Sequence, residues 1–185
     1  PEPMTPPLIG NSSGKEETRP HTTHLRAELR SEMGIRPRNE DSGLIFSANS
    51  GGHFPIIPFG LYIIADGMGG HSDGHIASRI ATRVAGRHIL QKLYLPLLAP
   101  EEVPPQLPPV QEVLIDAVQK ANTAVFESNP DNDSGTTLTI ALVLGRRLHV
   151  AHVGDSRLYM LKNDHLEAVT HDHSLVQRLQ EVGHL

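Results

Sequence analysis

Three acidic motifs in this sequence lie at the predicted ends of strands, where rigid elements can hold carboxylates in place. Asn39-Glu40-Asp41 follows one candidate strand, Asp66-Gly67 closes the most apolar one, and Asp155 lies in a predicted hairpin turn. Bringing carboxylates together costs free energy unless a cation neutralises them. Oxygen ligands select hard ions such as Mg²⁺, Mn²⁺ or Ca²⁺. The three motifs together therefore predict a divalent-metal site.

Each of these motifs has a simpler explanation when it is taken alone. Asn-Glu-Asp, Asp-Gly and Gly-Asp-Ser sequences most often form solvated turns. Gly67 adds a specific point, because a residue without a Cβ lets the backbone approach an ion and offer its carbonyl oxygen. It is the joint occurrence of the three motifs that favours a metal site over three unrelated turns.

Arg36 is the candidate for binding an anionic substrate group. It lies four residues before Glu40, and Pro37 stiffens the segment between them. A guanidinium group beside a metal site can bind a phosphate through two parallel hydrogen bonds. Arg38 is a second candidate for this role, and a solvated surface arginine is the simpler alternative.

Composition excludes some kinds of site. The chain has no cysteine, so disulfides and thiolate metal ligands are excluded, and any metal must be held by oxygen or imidazole. The net charge is −5 and no block of basic residues stands out, so we expect neither nucleic acid nor a membrane as a partner. No secretory signal is visible, and we expect a cytoplasmic protein.

The twelve histidines suggest an alternative metal site. His171 and His173 are two residues apart, and His149 and His152 lie on one predicted strand. A histidine-rich hydrolase site is therefore an alternative, although no helical His-x-x-x-His pair is present.

The elements that must position these residues follow from apolar periodicity and turn signals. We predict a disordered tail over 1–24, two helices over about 73–94 and 110–128, and a proline-rich loop over 95–109 between them. Strands are predicted over 25–33, 43–48, 59–65, 136–144, 147–153, 157–161 and 165–170, the last four as an antiparallel meander. Ser174 and Gln177 form a capping box, which predicts a helix beginning at Leu175. Strands and helices in separate blocks indicate an α+β fold.

Five motifs in this chain resemble those of bacterial type 2C (PPM) metal-dependent protein serine/threonine phosphatases. The resemblance covers residues 25–185 and predicts that they are the N-terminal part of one phosphatase domain. In chain order, the motifs are Arg36-Pro37-Arg38-Asn39-Glu40-Asp41, Ala65-Asp66-Gly67-Met68-Gly69-Gly70-His71, Ser134-Gly135-Thr136-Thr137, Val153-Gly154-Asp155-Ser156-Arg157 and Thr170-His171-Asp172-His173-Ser174.

The resemblance implies a four-layer α/β/β/α sandwich of two antiparallel sheets flanked by helices. It also implies two catalytic Mn²⁺ or Mg²⁺ ions bridged by water, with a third, weaker site. Asp66 would bridge both ions, Glu40 and the Gly67 carbonyl would ligate one, and Asp41 would hydrogen-bond metal-held water. Asp155 would serve the third site, and Arg36 would hold the substrate phosphate.

The function implied is hydrolysis of phosphoserine and phosphothreonine on proteins, by a monomer that acts on the substrates of a serine/threonine kinase. Two departures from the family pattern matter. Met68 stands where animal members carry a proposed general acid, and a thioether cannot donate a proton; His71 and His75 are nearby in sequence. The family's two further aspartates, in a Ser-Asp-Gly and an Asp-Asn motif, have no match after Asp172, so we expect the chain to be C-terminally incomplete.

Two alternatives to the enzyme stay open at this point. A catalytically inactive module of the same fold could bind phosphoproteins without turnover if the missing ligands are truly absent. An unrelated phosphate-binding scaffold could use the glycine-rich stretch 67–74 as a phosphate loop, although that stretch lacks the lysine of such loops.

Overall fold

The computed structural model describes residues 24–49, 57–69, 73–98, 106–128 and 134–173 of the chain. Residues 1–23 of the predicted tail and the helix predicted to begin at Leu175 lie outside these ranges. None of the helices in the described ranges has the length and hydropathy needed to cross a lipid bilayer.

The main sheet has five antiparallel strands. They are β1 (Asp41–Ala48), β2 (Phe59–Met68), β3 (Gly135–Thr136), β4 (Leu138–Leu144) and β5 (Arg147–Val153). The order across the sheet is β1-β2-β4-β5, and the short β3 pairs with the end of β2. Two further strands, β6 (Tyr159–Lys162) and β7 (His165–Ala168), form a separate antiparallel hairpin.

Two helices cover one face of the main sheet. They are α1 (Gly74–Ile89), which continues as a π-helical turn over Leu90–Tyr94, and α2 (Val110–Ser128). Their bounds match the two predicted helices. In the proline-rich region that separates them, Leu95–Leu98 forms one 3₁₀ turn. The prediction of an α+β fold with two antiparallel sheets and flanking helices is confirmed.

The core lies between β2 and the helices. Alternate residues of β2 point to one face of the sheet, and Phe59, Leu61 and Ile63 are fully buried there. Burial of each such side chain stabilises the fold by about 1.5–3 kcal/mol. Small residues on the facing side of α1, including Ala81 and Ala85, let the helix approach the sheet closely. The buried strand therefore holds its polar C-terminal end, Asp66 onward, in a fixed place.

The strand predicted over 25–33 is wrong: this segment pairs with no strand among the described residues. The Asn49 side chain accepts a hydrogen bond from the Leu25 N–H at 2.7 Å and donates one to the Leu25 carbonyl at 3.0 Å. The Leu25 and Leu29 side chains lie against Gly60 and Gly43, on the sheet face away from the helices. An extended segment becomes a strand only with a ladder partner, and here a side chain takes that place.

The predicted four-stranded meander is also wrong, because β5 does not pair with β6. At the end of β5, Gly154 adopts a φ of 110°. Its carbonyl oxygen accepts hydrogen bonds from the His152 ring and from the His173 N–H instead of entering a hairpin ladder. The chain therefore leaves the main sheet before the β6–β7 hairpin begins.

We expect the stability of the fold to depend on pH through His88, which is buried in α1. Burial, followed by the nearby Lys120 charge, lowers the pKa of His88 below its ordinary value of 6.5 against the opposing effect of Asp116. The unfolded chain therefore takes up a proton first, and the free energy of unfolding falls as pH drops from about 6.5 towards the lower pKa of the folded state.

We expect His88→Leu to make this fall shallower between pH 7 and pH 5, because the substituted side chain takes up no proton in either state. Urea denaturation of both proteins at several pH values measures the slope. Equal slopes for His88→Leu and wild type would mean that His88 carries no part of the pH dependence.

Candidate functional site

A polar cleft of about 220 Å³ opens at the end of β2 and the start of β1. Glu40, Asp41 and Asp66 line it together with Arg36. The first two acidic motifs, which are separated by 24 residues in sequence, therefore meet in one place, as the sequence predicted. Glu32, Met33, Arg38 and Asn39 complete the lining.

Strand register brings Asp41 and Asp66 together. The antiparallel pairing of β1 with β2 places these two residues directly opposite each other. Cβ atoms of such a pair are about 5 Å apart, and like charges there repel. Burial raises the pKa of Asp66 above its ordinary value of 3.8, and the charge and hydrogen bond of Asp41 raise it further.

The third acidic motif is close enough to act on the same carboxylate. The charge of Asp155 also raises the pKa of Asp66, whereas the Arg36 guanidinium lowers it. Of these two residues, Arg36 lines the cleft and Asp155 does not. Since the carboxylates outnumber the arginines that oppose them, the cleft has an excess of negative charge and favours a cation.

The backbone of Glu40 ties the cleft to both β2 and α1. Its carbonyl oxygen accepts hydrogen bonds from the Gly67 N–H at 3.1 Å and from the Ser78 hydroxyl at 2.6 Å. A Cβ added to Gly67 would overlap the Gly74 carbonyl group and lie 2.7 Å from the Glu40 carbonyl oxygen. The absence of a side chain at Gly67 is therefore what lets the start of α1 pack against the end of β2.

Thr137 anchors the backbone of Asp66. Its hydroxyl accepts a hydrogen bond from the Asp66 N–H at 2.9 Å, and its own N–H donates to the Asp66 carbonyl at 2.9 Å. The same hydroxyl lies 2.8 Å from the Ser156 hydroxyl, beside Asp155. Thr136 adds a third bond, from its hydroxyl to the Asp66 carbonyl at 3.0 Å. The threonine motif thus joins two of the acidic motifs.

The motifs recognised in the sequence include Asn39, Ser78 and Thr137 but give no role to any of them. The Asn39 amide oxygen accepts the Asp41 N–H at 3.0 Å, and its amide nitrogen donates to the Ser31 hydroxyl at 2.7 Å. An asparagine two residues before a strand residue is a known turn signal. This turn signal could have identified the role of Asn39 from the sequence. Ser78 and Thr137 carry no such local signal.

Of three other residues singled out in the sequence, the structure describes Arg38 and Met68. Arg38 contacts His75 across 3.5 Å as well as lining the cleft. Met68 is half exposed at the end of β2. His71 lies outside the described residues.

Within the described ranges, no three histidine or acidic side chains close around a point that could hold a metal ion. The alternative of a histidine-rich site has no support there. The oxygen donors of the cleft nevertheless fit a hard divalent cation, because Mg²⁺ in proteins is usually held by one or two carboxylates and keeps several waters. Glu40 and Asp66 are two such carboxylates.

Comparisons with known proteins show what the chain as a whole is similar to. The family model described as "Protein phosphatase 2C" matches residues 38–182. The chain is 38% identical over 166 residues to the "Serine/threonine phosphatase stp" of Listeria innocua, and the match covers 87% of this chain and 60% of that protein. It is 34% identical over 166 residues to the "Serine/threonine protein phosphatase PstP" of Mycobacterium tuberculosis. That match covers 89% of this chain and 28% of that protein.

The solved structures that this chain resembles include further serine/threonine phosphatases. The catalytic domain of PstP in complex with two manganese ions matches with a TM-score of 0.58 and 32% identity, over 82% of this chain and 56% of that one. The serine/threonine phosphatase of S. agalactiae matches with a TM-score of 0.61 and 28% identity, over 81% of this chain and 56% of that one. The chain thus spans little more than half the length of these two solved chains, 60% of the Listeria protein and 28% of PstP.

Proposed function

Because the chain belongs to the protein phosphatase 2C family, we propose that the protein hydrolyses phosphoserine and phosphothreonine monoesters on other proteins. The observation that carries the proposal is one cleft lined by Glu40, Asp41, Asp66 and Arg36. Carboxylates for a cation and a guanidinium for a phosphate are the two kinds of group that metal-dependent phosphate hydrolysis needs. The relatives named as serine/threonine phosphatases support the substrate class.

The cofactor of this reaction is proposed to be a pair of Mn²⁺ or Mg²⁺ ions, with a third ion bound more weakly. The related structure with two manganese ions supports the pair. When bound, the pair would lower the pKa of water and offset the charge of the phosphate. Asp66 would contact both ions, Glu40 and the Gly67 carbonyl one of them, and Asp155 the third.

The other two residues of the cleft would act on water and substrate. Asp41, opposite Asp66 in the strand pair, would accept a hydrogen bond from the attacking water and orient it. Arg36 would donate two hydrogen bonds to the phosphate oxygens. It would thereby hold the phosphate so that the attacking water lies opposite the serine or threonine leaving oxygen. No protein nucleophile is required. Met68 cannot protonate the leaving group, so that proton would come from water or from another residue.

The biological setting is proposed from the same resemblance. The substrates would be phosphoproteins made by a serine/threonine kinase, and the enzyme would act as a cytoplasmic monomer that binds neither nucleic acid nor a membrane. Residues 25–185 would form the N-terminal part of one phosphatase domain.

A second candidate function is binding of phosphoproteins without turnover. It is favoured by one observation: within the described residues, no three acidic or histidine groups close around a metal position. A scaffold that keeps Arg36 but lacks a complete ligand set would still bind phosphate.

Metal-dependent turnover separates the two candidates. We expect the intact protein to release phosphate from a phosphothreonine peptide in Mn²⁺, to lose this activity with a chelator, and to regain it when Mn²⁺ is restored. A phosphotyrosine peptide of the same sequence is the matched control for substrate class. Peptide binding without phosphate release would favour the second candidate, and turnover that resists chelation would place the protein in another enzyme class.

A further inference from the structure

Hydrogen bonds of Gly154 and Ser156 hold both sides of the turn that carries Asp155. None of these bonds has a part in the proposed reaction. On one side, the Gly154 carbonyl oxygen accepts the His152 Nε2–H at 3.0 Å and the His173 N–H at 2.7 Å. On the other side, the Ser156 hydroxyl lies 2.8 Å from the Thr137 hydroxyl. The residues on either side of Asp155 are therefore tied to His152, His173 and Thr137.

The chemistry of the partners determines which ring nitrogen of His152 carries a proton. A carbonyl oxygen can only accept, so Nε2 must be the donor to Gly154. The other nitrogen, Nδ1, is 2.9 Å from the Thr139 hydroxyl, which donates to it when the ring is neutral. Thr139 is the direct partner of His152 in the β4–β5 pairing. The ring is thus oriented at both ends.

Close packing leaves the turn little freedom to tilt. Gly154 has a φ of 110°, and a Cβ at this residue would lie 2.7 Å from the Thr137 Cβ and 3.2 Å from its Cα. Thr137 is also the residue that anchors the backbone of Asp66. The position of the Asp155 turn relative to Asp66 therefore depends on Gly154 staying against Thr137, with its carbonyl oxygen directed at His152.

We propose that His152 is a positioning residue: by donating Nε2–H to the Gly154 carbonyl, it holds the turn that carries the next residue, Asp155, against Thr137, the residue that anchors the backbone of Asp66. The inference rests on the proposed function, in which Asp155 serves a weakly bound metal ion. The His173 N–H shares the same acceptor and aligns the segment after Thr170 with the turn.

The expected consequence is on metal affinity rather than on the chemical step. His152 does not touch the cleft, and groups that orient a metal ligand typically change the affinity for the metal by about 10- to 100-fold. Loss of the Nε2 donor should therefore weaken only the sites that Asp155 serves. The sites that depend on Glu40 and Asp66 should keep their affinity.

The test is Mn²⁺ binding to the intact protein, followed by electron paramagnetic resonance of the free ion. For His152→Asn, whose shorter amide does not reach Gly154, we expect the affinity of the weaker class of sites to fall about tenfold. His152→Gln, whose amide nitrogen lies near the position of Nε2, should restore it. His149→Asn is the matched control, because His149 lies on the same strand and its side chain makes no hydrogen bond with the described residues.

Two further measurements keep each outcome decisive. Melting temperatures show whether each variant folds. Thr139→Val is a second variant, which keeps the Nε2 donor of His152 but removes the hydrogen-bond partner of Nδ1. We expect it to lose less Mn²⁺ affinity in the weaker class of sites than His152→Asn. Unchanged weak-class affinity in His152→Asn, equal losses in the Asn and Gln variants, or a wild type without a weaker class would each overturn the proposal. A wild type that binds Mn²⁺ in two classes but hydrolyses no phosphopeptide would overturn the proposed function alone.

Discussion

Asp66→Asn is expected to abolish hydrolysis of phosphothreonine peptides in Mn²⁺, with kcat/KM falling on the order of 10³-fold or more. Asp66 is the carboxylate on which the other two acidic motifs act, through the charges of Asp41 and Asp155, and it shares the cleft with Glu40. Asparagine keeps the size of the side chain but removes the negative charge that attracts cations. Steady-state phosphate release by the intact protein measures the effect.

The same substitution is expected to leave the fold intact and even to stabilise it in the absence of metal. Burial and the neighbouring carboxylates raise the pKa of Asp66. A carboxyl group with a raised pKa in the folded state contributes stability that is present below its ordinary pKa and is lost as pH rises through the folded value. At neutral pH, the ionised Asp66 is therefore unfavourable, and asparagine removes this cost. Thermal melting without added metal should show an equal or higher Tm.

Asp164→Asn is the matched control for this prediction. It makes the same atomic change in the exposed turn between β6 and β7, where Asp164 has a φ of 61° that asparagine also tolerates. This variant should hydrolyse the peptide at the wild-type rate. If Asp66→Asn kept that rate as well, Asp66 would not belong to the site.

Gly67→Ala is expected to lower both stability and activity, because the added methyl group has no space. It would overlap the Gly74 carbonyl group and press on the Glu40 carbonyl oxygen. Both contacts are backbone atoms, so no side chain can turn aside. The start of α1 must move away from β2, and the hydrogen bonds that Glu40 accepts from Gly67 and Ser78 are disturbed. We expect the free energy of unfolding to fall by about 3 kcal/mol.

Chemical denaturation and phosphopeptide turnover measure the two effects of Gly67→Ala. Gly135→Ala is the matched control, since Gly135 pairs with Met68 in the adjacent strand and a Cβ there would meet only the Met68 side chain at 3.8 Å. This control should stay within about 1 kcal/mol of wild type. Equal behaviour of the two variants would mean that the close approach of α1 to β2 is not needed.

Much of the fold could be predicted from local patterns. The two helices and the strands β1, β2, β4 and β5 follow from apolar periodicity, because the same alternation that marks an element also buries one of its faces. The errors came where a partner decides the outcome. The segment 25–33 has the composition of a strand but bonds to the Asn49 side chain, and the turn after β5 bonds to His152 and His173.

Residue types and motif order alone indicate which chemical groups this chain can offer. The absence of cysteine, the order of the acidic motifs and the glycines beside them indicate oxygen ligands and a phosphate-binding arginine, because residue type alone decides which groups can ligate or donate. Which of these residues meet follows from the packing of the strands and helices. Asp41 faces Asp66 because of strand register, and Thr137 joins Asp66 to Ser156 because β4 lies beside β2. Such contacts span up to 71 residues of chain and depend on how whole elements pack, which no local pattern encodes.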